Sequence, residues 1–349
     1  MALAYSRRDI LGMLTDIEAD ELFSMAYQVK VEHVGKVVSL RGLVECSNVC
    51  VKNCFYCGIR CGNTSITRYR MTEDDMVESA RWAAKSGYGS VVFQSGEVVS
   101  KEYAALIERV LGRLHGEFGD ELGITLSLGE QTEETYRRWK DAGAHRYLIR
   151  IETSNRELYA RLHPADHSWE SRLECLRTLR RLGYITGSGV IIGVPGQTVD
   201  DLVSDIEFFA AEDLDMIGMG PFIPHPDTPL GAGISMTPDW KRAQVELGLR
   251  MIAAVRLCLR DVNIASTTAL QALDPQGRER GLLAGANVVM PNVTPLKYRG
   301  DYRLYADKPC VFEDAEDSRD HLDEAVRSIG ERIGWNVRGD SVHWCRRQA

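Results

Sequence analysis

The sequence predicts an α/β fold, a (β/α)8 TIM barrel with an N-terminal helical extension and a C-terminal appendage. Short apolar or β-branched runs alternate with amphipathic stretches along the 349 residues. Strands separated by helices pair in parallel, and eight of them close a barrel of about this size. A doubly wound open sheet is the competing architecture. The predicted strands cover 38–46, 89–95, 123–129, 145–151, 185–192, 214–220, 262–267 and 286–291.

Amphipathic helices are predicted between the strands, and their ends carry capping signals. Thr72 and Thr132 precede acidic first turns, as N-capping residues do. Gly87, Gly143 and Gly183 follow helical stretches, where a C-terminal cap favours glycine. The predicted helices cover 73–87, 101–117, 132–142, 168–182, 198–211, 237–258 and 275–284.

This alternation divides the chain into three predicted parts. Residues 1–37 form an N-terminal helical extension, 38–292 form the barrel, and 293–349 form a C-terminal appendage that closes the barrel and contains a helix near 316–332. Active groups of such barrels sit just after the C-terminal ends of the strands. Functional residues are therefore expected in the loops that follow the strands.

Composition excludes several classes of function. The net charge is −8, whereas binding to nucleic acid needs a basic face. No run approaches the roughly 20 apolar residues that span a bilayer. The opening MALAYSRRDILGML lacks the apolar segment of a secretion signal. We therefore expect a cytoplasmic protein, most simply a monomer, with neither a nucleic-acid nor a membrane partner.

The strongest chemical signal is a cysteine loop directly after the first strand. Nine cysteines in a chain without an export signal do not indicate a disulfide framework. Cys50, Cys54 and Cys57 have a C-x3-C-x2-C spacing, and three thiolates on a short loop can hold three corners of a [4Fe–4S] cube. The fourth iron then stays open to a ligand. The alternative is a structural zinc completed by Cys46 or Cys61, which are otherwise expected to be packed or incidental thiols.

The spacing of the three cysteines, with Tyr56 directly before the third, resembles the radical S-adenosylmethionine (SAM) superfamily. The resemblance implies that SAM chelates the open iron. It also implies that one electron from the reduced cluster cleaves SAM to methionine and a 5′-deoxyadenosyl radical. The cofactor supplies this chemistry. The protein positions the reactants, excludes water and tunes the reduction potential of the cluster.

A cofactor of this kind needs groups that hold an amino acid, a ribose and an adenine. After strand two, Gln94 or Glu97 can bind the ammonium group, and Gly96 permits a close backbone approach. After strand four, Glu152 can accept hydrogen bonds from the ribose hydroxyls or the ammonium. Arg172 can bind the carboxylate through two N–H groups.

A closer resemblance spans most of the chain. Its motifs run in order from residue 47 to 292: SNVCVKNCFYCGIR, RYRMT, QSGE, LSLGE, RYLIRIETSN, GVPGQT, GPFIPHPDTPL, STTAL and GANVVMPN. They resemble the HydE family of [FeFe]-hydrogenase maturases. The resemblance implies an enzyme with a closed barrel cavity that acts on an iron–cysteine precursor bearing carbon monoxide and cyanide. It also implies HydG- and HydF-type maturases as partners, and a ferredoxin or flavodoxin is the expected reductant.

The expected site residues fall into three groups. The cluster ligands, which are also the catalytic residues, are Cys50, Cys54 and Cys57. The SAM contacts are Tyr56, Gln94, Glu97, Glu152 and Arg172. The substrate contacts are Thr125, Arg150, Thr267, Thr268 and Met290. Arginine and threonine donors on barrel strands can bind a carboxylate or cyanide in a dry cavity.

Two positions depart from the family pattern. Ile151 stands where some family members have a histidine, so no imidazole role is transferred here. Some members also hold a second cluster on three C-terminal cysteines, but Cys310 has no partners in its segment, so only one [4Fe–4S] cluster is predicted. A methylornithine synthase-like radical SAM enzyme and a non-catalytic iron–sulfur carrier remain as alternative functions.

Overall fold

A computed structural model describes residues 1, 3–306, 308 and 315–348, with the side chains of 315–318 excepted. Cys310, the subject of the single-cluster prediction, lies outside the described residues. The strands are β1 (Val37–Leu40), β2 (Gly42–Ser47), β3 (Ser90–Ser95), β4 (Gly123–Ser127), β5 (Arg146–Leu148), β6 (Ile185–Ser188), β7 (Ile191–Ile192), β8 (Met216–Ile217), β9 (Gly220–Pro221), β10 (Asn263–Ile264), β11 (Val288–Val289) and β12 (Arg332–Ile333). The helices are α1 (Arg7–Thr15), α2 (Ala19–His33), α3 (Glu73–Lys85), α4 (Lys101–Phe118), α5 (Glu133–Asp141), α6 (Arg156–Leu162), α7 (Trp169–Arg181), α8 (Val199–Ala211), α9 (Pro238–Leu259), α10 (Thr268–Leu273), α11 (Gly277–Leu283), α12 (Leu296–Arg299), α13 (Ala315–Ser328) and α14 (Val342–Gln348).

The strands form a parallel barrel in chain order. Seven of them pair as β2-β3-β4-β5-β6-β8-β10, and every pair is parallel. The ring closes through β11, which pairs in parallel with β1 and is bridged to the strand beyond β10 at Ala265–Val288. A further bridge joins Leu43 to Asn292. The predicted barrel is confirmed, and the open sheet is wrong.

Two of the barrel strands are interrupted, and each is therefore recorded as two short strands. β7 and β9 continue β6 and β8 beyond an interruption and pair with each other. The six residues of β2 are all buried, as expected for a strand covered on both faces. Each predicted strand overlaps an observed one. Sequence analysis did not predict α6, α10, α12, α14 or β12, all of them seven residues or shorter, although α11 is equally short and lies within a predicted helix.

The capping predictions hold at the helix ends. The hydroxyl of Thr72 accepts a hydrogen bond from the Asp75 N–H, and that of Thr132 accepts one from the Thr135 N–H. Gly87, Gly143 and Gly183 all adopt positive φ, which a side chain would disfavour. Local sequence therefore determines where these barrel helices begin and end.

The two terminal parts pack at different places on the barrel. Helices α1 and α2 lie outside it, against α8 and α9. β12 extends the sheet beside the start of β1, pairing Val37 with Arg332. The chain after β12 enters the N-terminal end of the barrel, where the Gly339 carbonyl accepts hydrogen bonds from the side chains of Arg41 and Asn263. In the described part of the chain, no helix is long and apolar enough to cross a bilayer.

We call the segment between β12 and α14, residues 334–341, the C-terminal plug. Asp340 is its anionic centre. Its carboxylate contacts the fully buried guanidinium of Arg146 and lies 3.2 Å from the His145 Nε2. Burial opposes its ionisation, but the hydrogen bond from His145 and the charge of Arg146 hold the pKa of Asp340 well below its usual value. The plug is thus held at neutral pH by a buried charge pair.

We expect Asp340→Asn to lower the free energy of unfolding by about 3 kcal/mol at pH 7, because it leaves a buried guanidinium without its counter-charge. The carboxylate has a lower pKa in the folded than in the unfolded chain. Its contribution is therefore complete above about pH 4 and is lost as pH falls through the folded-state pKa. Urea denaturation at pH 7 and pH 3 should show the deficit shrinking in acid. The control is Asp120→Asn, at an exposed carboxylate beside Arg338; equal deficits for the two variants would refute this role.

Candidate active site

The cysteine loop follows β2 and is tied to the barrel by backbone hydrogen bonds. The Val51 N–H donates to the Glu97 carbonyl (2.9 Å), and the Phe55 N–H donates to the Leu162 carbonyl (2.9 Å). The Gly58 N–H donates to the Leu304 carbonyl (2.9 Å). Three different segments therefore fix the loop, so the position of its thiols is set by the fold.

The three predicted ligands lie together at the wall of a cavity. Cys54 is buried, and Cys50 and Cys57 are half-buried. Burial raises the pKa of Cys54 to about 12 and also raises the pKa values of Cys50 and Cys57, and neighbouring thiols raise them further. Three such thiols ionise together only when a cationic centre neutralises them, as a bound metal does.

The surroundings of the loop suit an iron–sulfur cube. A Cβ added at Gly96 would lie 2.4 Å from the Val49 carbonyl oxygen and 2.7 Å from the Cys50 Cβ, so this position requires glycine. The Glu97 N–H donates to the Cys50 Sγ (3.3 Å). No group of three or more His, Cys, Asp or Glu side chains among the described residues is arranged around one metal ion. A cube places a separate iron at each thiolate, and its ligands need not converge on one point.

The other two cysteines of this region lie apart from the loop's inner face. Cys46 is fully buried on β2, and its thiol donates to the Val44 carbonyl (3.4 Å). Cys61 is exposed. Neither lines the cavity, in line with their predicted incidental roles.

A cavity of about 620 Å³ opens beside the loop. This is the size of pocket that holds a drug-sized ligand. It brings together all but one of the predicted site residues: Cys50, Cys54, Tyr56, Cys57, Gln94, Glu97, Arg150, Glu152, Arg172, Thr267, Thr268 and Met290. The exception is Thr125, which is fully buried, and its hydroxyl accepts a hydrogen bond from the Arg146 Nε (3.0 Å). Thr125 therefore belongs to the packed layer around the plug.

Glu152 and Arg150 stand side by side in the cavity. The Tyr56 hydroxyl donates to the Glu152 Oε1 (3.1 Å), and the Arg150 Nη2 donates to the Val190 carbonyl (2.8 Å). The Glu152 Oε2 and the Arg150 Nε are 3.2 Å apart but are not aligned as a hydrogen bond. Both atoms are buried and form an ion pair with each other, but neither they nor the Thr267 hydroxyl have a hydrogen-bond partner. Buried polar groups normally have partners, so these three atoms indicate a bound polar ligand.

The backbone of Glu152 supports the same inference. This residue has a φ of 68°, which is rare for a residue with a side chain. Such strained conformations persist where the surrounding structure enforces them, often at ligand sites.

The neighbouring Ile151 is fully buried in the hydrophobic core. It therefore takes no part in lining the cavity.

Arg172 and Glu97 belong to a buried charge network. The Arg172 Nε donates to the Glu130 Oε1 (2.7 Å), and the Glu130 Oε2 accepts from the Lys52 Nζ (3.2 Å). The Glu97 Oε2 accepts from the Glu130 N–H (2.8 Å). Sequence analysis assigned no role to Lys52 or Glu130. The available signal was their position, since one lies inside the cysteine spacing and the other lies at the end of the LSLGE motif.

Tyr302, Leu304, Tyr305 and Lys308 line the cavity from the C-terminal part of the chain, and sequence analysis assigned none of them to the site. The Tyr302 hydroxyl accepts from the Gln94 Nε2 (3.1 Å), and the hydroxyl groups of Tyr305 and Thr268 are 2.8 Å apart. Lys308 pairs with the buried Glu45 of β2. No local pattern marks these residues, because their partners are distant in the sequence.

Comparison with known proteins identifies the family. A model described as the Radical SAM superfamily matches residues 44–209. The [FeFe] hydrogenase maturase subunit HydE of Thermotoga maritima is 47% identical over 294 residues, which are 84% of this chain and 81% of that protein. The chain belongs to the HydE family of radical SAM enzymes. The predicted family and enzyme class are confirmed.

Solved structures share the barrel of this HydE-family chain. Methylornithine synthase (PylB) superposes with a TM-score of 0.80 at 22% identity, covering 95% of this chain and 96% of its own. The FeFe-hydrogenase maturase HydG from Carboxydothermus hydrogenoformans superposes with a TM-score of 0.77 at 19% identity, covering 95% of this chain and 76% of its own. At these identities, the two structures support the fold alone.

Proposed function

We propose that this HydE-family enzyme matures the [FeFe]-hydrogenase by cleaving SAM beside an iron–cysteine precursor that bears carbon monoxide and cyanide. The observation that carries the proposal is the cavity that joins the cysteine loop to Arg150, Thr267 and Thr268. The cysteine loop suits a cluster and its nucleotide, and the arginine and threonine side chains suit a small anionic substrate. Their shared cavity would let the two ligands meet without solvent between them.

We assign the cluster to Cys50, Cys54 and Cys57. When bound and reduced, it supplies the electron that cleaves SAM. The chain's own contribution is to hold three thiolates in place and leave the fourth corner free. We propose one cluster. Among the described residues, only this loop has three cysteines close together in the sequence.

The SAM contacts are proposed from the charges that face the loop. The Glu152 Oε2 accepts no hydrogen bond within the protein and can accept one from a hydroxyl or ammonium group, and Tyr56 orients the carboxylate by donating to its other oxygen. Arg172 uses its Nε and Nη1 within the protein. Its Nη2 is the nitrogen left for the carboxylate of methionine. Gln94, near the end of β3, and Glu97, just after it, are the remaining proposed SAM contacts.

The substrate contacts are proposed at Arg150, Thr267, Thr268 and Met290, and Arg150 adjoins the SAM contact Glu152. The Arg150 Nε has no hydrogen-bond acceptor, although it forms an ion pair with Glu152, and the Thr267 hydroxyl has no hydrogen-bond partner. Thr268 begins α10 and keeps its hydroxyl near Tyr305, while Met290 adds an apolar surface. Arginine and hydroxyl donors of this kind suit a carboxylate or cyanide ligand. Thr125 is left out of this set because of its place beside Arg146.

The proposed partners follow from the family. HydG- and HydF-type maturases would lie on either side of this reaction, and a ferredoxin or flavodoxin would supply electrons in the cytoplasm. Two names among the comparisons support the hydrogenase-maturation pathway: one relative is a HydE maturase subunit, and one structural neighbour is HydG.

The proposal is tested by product analysis under anaerobic conditions. Reconstituted protein is reduced with dithionite and given SAM, with or without the iron–cysteine complex made by HydG. We expect 5′-deoxyadenosine and methionine, and conversion of the iron complex. Cleavage of SAM with conversion of lysine instead would favour a methylornithine synthase-like activity. A brown protein that cleaves no SAM would be an iron–sulfur carrier, and the proposal would fail.

A further inference from the structure

Glu130 bridges two cations that belong to different parts of the site. Its Oε1 accepts from the Arg172 Nε (2.7 Å), and its Oε2 accepts from the Lys52 Nζ (3.2 Å). Lys52 lies within the cysteine loop, between two of the cluster ligands. Arg172 lies on α7, on the side proposed to bind SAM. One carboxylate therefore connects the cluster loop to the SAM-binding side.

The carboxylate lies behind the cavity wall. Lys52, Glu97, Gly129 and Arg172 line the cavity, whereas Glu130 is not among its lining residues. The Glu130 backbone N–H is held by the Glu97 Oε2 (2.8 Å). Glu130 can therefore act on a ligand only through its neighbours, which is the position of a residue that orients others.

The charges around Glu130 keep it ionised. Burial opposes its charge, but Arg172 and Lys52 outweigh burial and lower the pKa of Glu130. The side chains of Glu130 and Lys52 are 15% and 17% exposed, and that of Arg172 is 9% exposed, so solvent screens their attraction only weakly. Lys52 also lies 3.4 Å from the Glu97 Oε1, whereas the carboxylate that pairs with Arg172 is that of Glu130.

The Glu130 carboxylate also determines which N–H groups of Arg172 remain free to bind a ligand. With the Nε on Glu130 and the Nη1 on the Arg150 carbonyl (2.8 Å), the guanidinium plane is fixed. A fixed plane orients the Nη2 without loss of side-chain freedom when a ligand binds. Arg172 and Cys54 line the same cavity, so the guanidinium charge also lies near the cluster loop.

We propose that Glu130 is a positioning residue that sets both the affinity for SAM and the reduction potential of the cluster. It does so by anchoring Arg172 and Lys52 at once. This inference rests on the proposed SAM and cluster sites. A Gln at this position keeps the size of the side chain but accepts from only one cation and turns an NH2 group toward the other.

The test compares Glu130→Gln, Glu130→Asp and the control Glu133→Gln in reconstituted protein. Glu133 lies three residues away at the start of α5, where it pairs with Arg137 in solvent. Two quantities are measured on the fraction that holds a cluster: the dissociation constant for SAM by equilibrium dialysis, and the midpoint potential of the cluster. Iron content and melting temperature are recorded for every variant.

We expect Glu130→Gln to weaken SAM binding about tenfold, since a well-placed interaction of this kind is worth about 1.4 kcal/mol. We also expect a less negative midpoint potential, because a negative charge near the cluster is lost. Glu130→Asp keeps the charge but is too short to reach both cations. It should therefore weaken SAM binding while leaving the potential closer to that of the wild type. Glu133→Gln should change neither quantity.

Two results separate the possible failures. If the wild-type protein binds SAM and the Glu130 variants match Glu133→Gln in both quantities, the positioning role is overturned and the proposed function stands. The positioning role is likewise overturned if the variants lose only iron and melting temperature. If the wild-type protein assembles no cluster or binds no SAM, the proposed function fails, and this inference fails with it.

Discussion

Cys54→Ala is expected to abolish SAM cleavage, with a loss greater than about 100-fold, and to leave the protein nearly free of iron. Cys54 is the middle ligand of the loop, and it is 9% exposed, whereas Cys50 and Cys57 are half-buried. Changing the outer partners of metal ligands alone costs about 10- to 100-fold, so the loss of a ligand should exceed that range. Iron and sulfide are measured after anaerobic reconstitution, and 5′-deoxyadenosine is measured after reduction.

The matched control for this variant is Cys61→Ala, in the same loop. Its thiol is exposed and does not line the cavity, so iron content and cleavage should stay close to wild type. Retention of iron by Cys54→Ala, or loss of iron by Cys61→Ala, would show that the ligands had been assigned wrongly. The second outcome would point to the zinc-like arrangement that recruits a fourth thiol.

Arg150→Ala is expected to reduce conversion of the iron–cysteine complex about 100-fold while SAM cleavage without substrate changes no more than a few-fold. The Arg150 Nε lines the cavity without a hydrogen-bond acceptor, which a bound anion would supply. Removing one partner of a buried, hydrogen-bonded charge pair costs about 2–5 kcal/mol. The few-fold effect on SAM is expected because Glu152 lies 3.2 Å away.

Both products are measured in one reaction, so that the ratio of converted substrate to 5′-deoxyadenosine reports coupling. Arg156→Ala is the control, since that arginine pairs with Glu170 at the surface. Equal loss of substrate conversion and of SAM cleavage in Arg150→Ala would place the arginine on the SAM side. Its assignment to substrate would then be wrong.

Much of the architecture could be predicted because it depends on local patterns. Buried strands, N-capping threonines and glycines after helices are each encoded within a few residues. The barrel order then follows from the alternation of strands and helices. For the same reason, the amino-acid sequence alone suffices to place the cysteine loop and the strand-end residues near one another.

The missed residues depend on contacts between distant parts of the chain. Lys308 and Glu45 are 263 residues apart, and Arg172 and Glu130 are 42 residues apart. Isolated charges of this kind look like solvated surface groups in a sequence. Thr125 illustrates the converse. Its position on a barrel strand suited a substrate contact, but the strand's depth places its hydroxyl against Arg146, below the cavity.

The central claim is that three protein thiolates hold the cluster and leave one iron for SAM. The most direct test is electron–nuclear double resonance of the reduced, reconstituted protein with SAM labelled at the amino nitrogen and the carboxylate carbon. We predict hyperfine coupling from both labels to the cluster, lost in Cys54→Ala. Absence of coupling in wild-type protein that binds SAM, with all four irons ligated by the polypeptide, would contradict the account.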